Sequence, residues 1–393
     1  MTQNPKNVVV LGATGSIGAS TLAIIEQHPD KFNVLAISGH SNVNKLAELV
    51  RQFKPKFVVI SDSSQYTQLS RLISDECTVL AGAHELAAIC QLDSADLIVA
   101  GIVGAAGMQP VLASVKAGKT LLLANKEALV LAGELVMKAA KDNDATIIPL
   151  DSEHNAIYQC LPDSYQCGST PKNIDKIILT ASGGPFWNRD ASTFDKISPE
   201  EACAHPNWDM GRKISVDSAT LMNKGLEIIE AHWLFNLGEK DIDVHVHPQS
   251  IVHSMVCYQD GSVLAQLGEP DMRIPIANGL GMPERIASGA NMLNLLQSQD
   301  LQFFPPDYEK FPCLTLAKEA IQAGGTSMAV LNATNEISVD AFLNKLISFT
   351  TIAKINAEIM NNTALSGIEN VEQLLQLDEE VRANARQMVK HYA

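Results

Sequence analysis

The chain has 393 residues, of which 46% are hydrophobic and 19% charged, enough apolar material to bury a substantial core and divide into two or three domains. Its formal net charge of -15 is spread without long acidic runs. That excludes the basic surface needed for nucleic acid or an anionic membrane, so an anionic substrate has to be met by a local site. Seven cysteines, at 77, 90, 160, 167, 203, 257 and 313, include no Cys-x-x-Cys pair, which fits reduced thiols in a cytoplasm.

The amino terminus lacks a long apolar segment with a small-residue cleavage site, so residues 8–11 read as a strand and not as part of a signal peptide. The uncharged stretch 97–115 is interrupted by Gly101, Gly104, Gly107, Gln109 and Pro110, which favours a buried strand running into a loop over a membrane span. Up to residue 150, short Val/Ile/Leu runs at 8–11, 34–37, 57–60, 97–100, 120–123 and 146–150 alternate with helical segments such as 20–27. This pattern predicts a parallel sheet covered on both faces, an α/β domain over 1–150.

After residue 150 the texture changes. Segments 177–180, 243–247, 250–258 and 262–267 read as strands, with Gln259-Asp260-Gly261 as a hairpin turn, so 151–281 is expected to be an α+β domain. Residues 282–312, with Pro283, Pro305, Pro306 and Pro312, read as a linker, and 313–393, which lack proline, as a helical bundle.

The first strand runs into Gly12-Ala13-Thr14-Gly15-Ser16-Ile17-Gly18 and then a helix, the arrangement of a pyrophosphate cradle. Glycine is needed there because a side chain would block a phosphate from backbone N–H groups at the positive end of the helix. A structural turn is the plainer alternative. The second strand ends in Ser38-Gly39-His40-Ser41-Asn42, without the acid that an NAD site places on the ribose hydroxyls. Small polar groups and a histidine leave room for a 2′-phosphate, so NADPH is favoured. Asn125-Lys126-Glu127 follows another strand at the carboxyl end of the sheet, where a cofactor contact competes with a solvated helix start.

Strand 146–150 leads into Asp151-Ser152-Glu153. In an extended chain, residues two apart point the same way, so both carboxylates are expected to face one hard cation, Mg²⁺ or Mn²⁺. A later apolar-periodic helix, preceded by Asp217 and Ser218, carries Asn223, Lys224, Glu227 and Glu230 on one face. Either glutamate completes a three-carboxylate set, and spacing does not choose between them. Thr180-Ala181-Ser182-Gly183-Gly184-Pro185 offers hydroxyl and backbone donors to a phosphate, with Lys224 as a source of charge. Segment 203–211, which carries His205, Trp208 and Met210 and is punctuated by Pro206 and Gly211, suits a lid.

Taken together, Gly-Ala-Thr-Gly-Ser-Ile-Gly at 12–18, Ala-Asn-Lys-Glu at 124–127, Asp-Ser-Glu-His-Asn at 151–155 and Asn-Lys-Gly-Leu-Glu at 223–227 closely resemble the 1-deoxy-D-xylulose 5-phosphate reductoisomerases. Ser-Gly-Gly-Pro-Phe at 182–186, His-Pro-Asn-Trp at 205–208, Val-Asp-Ser-Ala-Thr at 216–220 and His-Pro-Gln-Ser-Ile-Val-His-Ser at 247–254 extend the resemblance over essentially the whole chain. It implies a Rossmann-like amino-terminal domain holding NADPH through Thr14, Gly15, Ser16, Ile17, Gly39, Asn42, Asn125, Lys126 and Glu127, with Gly211 at the border of cofactor and substrate. It implies metal ligation by Asp151, Glu153 and Glu227, choosing Glu227 over Glu230, with Lys126 and His205 joining them as catalytic residues. Ser152, Glu153, Ser182, His205, Trp208, Ser218, Asn223, Lys224 and Glu227 are the implied substrate contacts, and Trp208 and Met210 belong to the implied flap. One departure is an extra residue at Gly39-His40-Ser41-Asn42, where family members often place a single, commonly basic residue between the glycine and the asparagine.

The implied reaction rearranges the phosphorylated ketose at a divalent metal to an aldehyde, by retro-aldol and aldol steps, and reduces the aldehyde with NADPH to 2-C-methyl-D-erythritol 4-phosphate. The family also implies a homodimer. No Tyr-x-x-x-Lys pair occurs at any tyrosine, which removes the short-chain dehydrogenases as a rival. A metal-free semialdehyde-type reductase and a non-catalytic NADPH sensor are the other readings.

Overall fold

The computed structural model describes residues 4–73, 75–204, 211–298, 300–368 and 370–393. In the first third, short apolar runs alternate with helices in the order β1 (Lys6–Leu11), α1 (Ser16–Gln27), β2 (Phe32–Gly39), α2 (Val43–Phe53), β3 (Phe57–Ile60), α3 (Tyr66–Ser70), β4 (Thr78–Ala81), α4 (Ala83–Cys90), β5 (Leu97–Ala100), α5 (Met108–Lys116), β6 (Thr120–Leu123), α6 (Lys126–Asp142) and β7 (Thr146–Pro149). The strands form one parallel sheet of order β4-β3-β2-β1-β5-β6-β7. Val8, Val9 and Val10 are wholly buried because helices cover both faces, and each such side chain contributes about 1.5–3 kcal/mol. Strand β4 is missing from the sequence reading: it is a four-residue edge strand with no wholly buried side chain, its apolar run confined to Val79, Leu80 and Ala81.

Strand order reverses direction between β1 and β5, and crevices at the carboxyl ends of such neighbours receive ligands. The turn after β1 lies there against the turn after β5: a Cβ on Gly12, whose φ is +74°, would stand 2.7 Å from the carbonyl oxygen of Gly101.

The middle of the chain holds α7 (Ser152–Cys160), β8 (Ile174–Ala181), α8 (Pro199–Ala202), α9 (Arg212–Ala219), α10 (Met222–Phe235), β9 (Ile242–Val246), β10 (Val252–Tyr258), β11 (Val263–Leu267) and α11 (Arg273–Gly281). Its sheet has the order β11-β10-β8-β9, with β10 antiparallel to both neighbours and β9 parallel to β8. The expected hairpin joins β10 to β11, but β10 starts at Val252 and not at residue 250, because Ser250 has a φ of +53° that breaks extended pairing.

Two further expectations are corrected. Ser152 and Glu153 do not continue a strand. Asp151 caps α7 by accepting the Ser152 N–H at 3.0 Å, and the chain turns helical at once, as an Asp followed by a first-turn Glu favours. Asp217 and Ser218 do not merely precede the long helix. They lie in their own helix, α9, separated from α10 by Leu221 in the left-handed region.

Between residue 281 and α12 (Pro312–Ala323) the described residues form no helix, and Phe304 makes an isolated bridge with Val246. Pro312 is the first residue of that helix, where its missing N–H costs nothing. Helices α13 (Ser327–Leu343), α14 (Phe349–Asn362) and α15 (Val371–Tyr392) complete the carboxyl-terminal bundle. Helix α10 is buried nearly all round, packed against α6 and α12, and its charged residues therefore need partners. Close approach depends on glycine at two places. A Cβ on Gly225 would lie 2.8 Å from the Ala317 Cβ, and one on Gly133 would lie 2.3 Å from Trp233 Nε1. Among the described residues, no helix is long and apolar enough to cross a membrane.

Candidate active site

Strand register assembles the site. Leu123 of β6 pairs with Pro149 of β7, so the residues just beyond both strands emerge side by side at the carboxyl edge of the sheet. Asn125 caps α6, accepting the Ala128 N–H at 2.7 Å, and Lys126 follows as the first helical residue. Lys126 Nζ reaches 2.7 Å from Asp151 Oδ2, 3.1 Å from Glu227 Oε1 and 3.0 Å from Asn223 Oδ1. The solvated alternative for this helix start does not hold, since Asn125 and Glu127 are buried and Lys126 nearly so.

Asp151, Glu153 and Glu227 offer carboxylate oxygens that all lie within 4.8 Å of one another. Lys224 Nζ donates to Glu153 Oε1 at 2.8 Å and also pairs with Glu227, while Ser152 Oγ donates to Glu153 Oε2 at 2.5 Å. Glu230 is drawn into a different cluster, with Asp151 and His154, and does not reach Glu153. The helix turn separates the two glutamates that spacing leaves equivalent.

The electrostatics follow from crowding. Four carboxylates, at 151, 153, 227 and 230, face the ammonium groups of Lys126 and Lys224. Burial opposes ionisation of Glu153, but Lys224 and the Ser152 hydroxyl overcome it and hold its pKa at about 2. Burial and the neighbouring Glu153 push Glu227 up to about 7. Burial would lower Lys126, yet Asp151 and Glu227 keep it well above its ordinary value. Buried Asp151 Oδ2, His154 Nδ1 and both Glu230 oxygens lack an aligned hydrogen-bond partner. Hard oxygen donors with excess negative charge and unsatisfied atoms fit a divalent cation.

Three residues without an assigned role in the sequence reading belong here. His154 Nε2 donates to the Glu227 carbonyl at 2.8 Å, tying α7 to α10, while its Nδ1 lies 3.2 Å from Glu230 Oε2. Burial pushes the imidazole down to about 4 and the Glu230 carboxyl well up. His253, buried at the start of β10, has Glu153 and Lys224 among its charged neighbours. The spacing of three between Asp151 and His154 signals a shared helix face, but only once α7 is known to be a helix.

Ser182 follows the last residue of β8 and accepts the Gly184 N–H at 3.2 Å. A Cβ on Gly184 would meet the Ser218 carbonyl oxygen at 2.6 Å, so the Ser182 turn is seated on α9. Lys224, buried among the acids, opens the same helix as Asn223. His205, Trp208 and Met210 lie outside the described residues.

At the other end, Gly15 and Ser16 are exposed at the start of α1, which has neither a side-chain cap nor an acid in its first turn. Gly18 must be glycine for internal reasons, because its Cβ would fall 2.4 Å from Ala13 Cα. Gly15 has no such clash, its nearest contact being 3.4 Å. The open face at Gly15, beside free N–H groups at a helix start, fits a pyrophosphate. Gly39 ends β2, Asn42 caps α2 by accepting the Lys45 N–H, and His40 Nδ1 lies 2.9 Å from Ser61 Oγ. Thr14 and Ile17 are half-buried beside the turn, and Gly211 is the exposed residue preceding α9.

Known proteins agree over the full length. Residues 8–133 match the family 1-deoxy-D-xylulose 5-phosphate reductoisomerase, 147–235 match the 1-deoxy-D-xylulose 5-phosphate reductoisomerase C-terminal domain, and 267–384 match the DXP reductoisomerase C-terminal domain. The chain is 50% identical to the 1-deoxy-D-xylulose 5-phosphate reductoisomerase of Ralstonia nicotianae, covering 98% of this chain and 97% of the relative. It is 49% identical to that of Stutzerimonas stutzeri, covering 98% of each. A crystal structure of DOX-P reductoisomerase with NADPH, fosmidomycin and magnesium superposes with a TM-score of 0.93 at 46% identity, covering 98% of each chain. The Zymomonas mobilis enzyme with NADPH superposes with a TM-score of 0.92 at 43% identity, covering 98% of this chain and 99% of that one.

Proposed function

Because the chain belongs to the 1-deoxy-D-xylulose 5-phosphate reductoisomerase family, we propose that it rearranges and reduces 1-deoxy-D-xylulose 5-phosphate to 2-C-methyl-D-erythritol 4-phosphate, using NADPH and a divalent cation, in non-mevalonate isoprenoid synthesis. The observation that carries this reading is the position of Lys126: a residue of the dinucleotide shelf that touches Asp151 and Glu227 and so brings a hydride site beside a carboxylate cluster.

Asp151, Glu153 and Glu227 would hold Mg²⁺ or Mn²⁺, and Glu230 would support them through His154. When bound, the cation polarises the ketone and a neighbouring hydroxyl as a Lewis acid, and NADPH supplies the hydride. Lys126 keeps its proton at Nζ and orients Asp151 and Glu227. The burial of Lys224, Glu227 and Glu230 strengthens the interactions of each charge. Ser152, Ser182, Ser218, Asn223 and Lys224 would bind the substrate, with the hydroxyls on its phosphate. His205 and Trp208 complete the assignment outside the described residues.

Thr14, Gly15, Ser16 and Ile17 would cradle the pyrophosphate, Gly39 and Asn42 the 2′-phosphate end, and Asn125, Lys126, Glu127 and Gly211 the nicotinamide end. We divide the chain into a dinucleotide domain at 1–150, a catalytic domain at 151–281, a linker at 282–312 and a helical domain at 313–393, acting as a cytoplasmic homodimer. Incubation with the phosphorylated ketose, Mg²⁺ and NADPH tests the reading: loss of reduced-cofactor absorbance that stops with EDTA supports it, and no oxidation ends it.

A further inference from the structure

A chain of polar contacts, buried except at Lys213, whose side chain is 27% exposed, crosses the molecule beside the proposed active site, and none of its links belongs to the metal cluster. Asn125 Nδ2 lies 3.4 Å from Glu127 Oε2 and also donates to the Gly104 carbonyl at 3.0 Å. Glu127 Oε1 is 3.5 Å from Lys213 Nζ, which is 2.9 Å from Asp217 Oδ2. Asn335 of α13 donates to Asp217 Oδ1 at 2.8 Å, Asn356 of α14 donates to Asn335 at 3.1 Å, and Ser338 donates to Asn356 at 3.2 Å. Asp217, Asn335, Ser338 and Asn356 are at most 1% exposed.

Such a chain is a poor source of stability, since burying charges costs several kcal/mol per ion that pairing only repays. Its value is register. An apolar contact between helices tolerates sliding, whereas a buried ion pair is satisfied at one relative placement and is strongly penalised elsewhere. The joint at Glu127 and Lys213 is where the dinucleotide shelf meets α9, and α9 also carries Ser218, the residue after Asp217.

Resting on the function proposed above, we propose that Lys213 is a positioning residue for hydride transfer. By bridging Glu127 on the cofactor shelf and Asp217 on the substrate helix, it sets the distance and angle between two ligands that each bind elsewhere. The reacting atoms must come within about 3–3.5 Å, and a misplacement of about 1 Å costs on the order of a hundredfold in rate. In this role Lys213 acts through Glu127 and Asp217 and not as a ligand contact of its own.

The test uses the full chain with Lys213→Gln, Lys213→Arg and Glu127→Gln. With Lys213→Gln, the dissociation constants of NADPH alone and of Mn²⁺ alone should stay within about twofold, while kcat falls roughly ten- to a hundredfold. Lys213→Arg, which keeps the charge, should recover most of that loss. The Glu127→Gln/Lys213→Gln double variant should be no slower than the worse single one, because both break one joint. Unchanged kcat, or losses that multiply in the double variant, overturn the proposal.

Hydrogen exchange supplies a readout without turnover. In Lys213→Gln, amides in the first turn of α6 and in α9 should exchange faster together. If only one of the two responds, or neither does, Lys213 does not join them. A wild-type chain that shows no NADPH oxidation ends the functional reading, and the exchange result still judges the joint.

Discussion

His154 Nε2 donates to the carbonyl oxygen of Glu227 across 2.8 Å, so one buried imidazole sets the depth of the helix turn that carries an acid of the proposed metal site. The side chain is 0% exposed, and its partner is a backbone atom, which a substitution at Glu227 cannot remove. Replacing His154 by Ala should therefore leave the fold intact by circular dichroism yet weaken Mn²⁺ binding by about ten- to a hundredfold, the usual effect of removing such a support. Titration by electron paramagnetic resonance checks this, and wild-type affinity would refute it.

Glu227 and Glu230 are separated by which neighbours they reach. Glu227 shares a cluster with Asp151 and Glu153, whereas Glu230 faces His154. Glu227→Gln should abolish metal-dependent oxidation of NADPH. Glu230→Gln keeps a group that can donate to His154 Nδ1 and should retain measurable activity. The opposite ranking in a coupled assay would show that the inner cluster holds the metal.

The glycine turn supports a contrast between two alanine substitutions. Gly18→Ala places a methyl group 2.4 Å from Ala13 Cα and should lower stability by about 1–3 kcal/mol in a denaturant titration. Gly15→Ala meets nothing closer than 3.4 Å, so its unfolding midpoint should match the wild type while NADPH affinity drops at least about tenfold, because the methyl group occupies the approach to the helix N–H groups. Equal NADPH affinity in Gly15→Ala and wild type would remove the cradle.

Buried thiols set the alkaline limit. Burial pushes Cys77 and Cys160 up to about 11, and Cys90 and Cys313 up to about 12, from an ordinary value of 9.0. Above pH 9 the unfolded chain has lost these protons and the folded chain retains them, so the unfolded state binds fewer protons and stability falls as pH rises. The contribution is fully present below pH 9. The deeply buried Cys90 and Cys313 each remove up to about 1.4 kcal/mol per pH unit between pH 9 and 10, before the lysines titrate, and the less deeply buried Cys77 and Cys160 remove less. Guanidinium unfolding under reducing conditions at pH 8, 9 and 10 should show the midpoint steady and then dropping; a flat midpoint through pH 10 would contradict it.

By itself the sequence determined the alternation of strands and helices up to residue 150, the glycine turn and the placement of acids at 151, 153 and 227. These are local properties: apolar runs of strand length, a turn that a side chain would obstruct, and ordered motifs that identify a family. It misread how Asp151 and Glu153 converge, because helix capping by Asp151 overrides the extended period of the preceding strand. It passed over β4, an edge strand whose apolar run is only three residues long. Tertiary structure alone brought Lys126 to Asp151, through the pairing of Leu123 with Pro149. It also turned Glu230 towards His154 and linked Glu127 to Lys213, residues 86 apart in the chain. Those choices depend on the register of packed elements, which is fixed by strand pairing, apolar packing and buried polar contacts between segments distant in the chain.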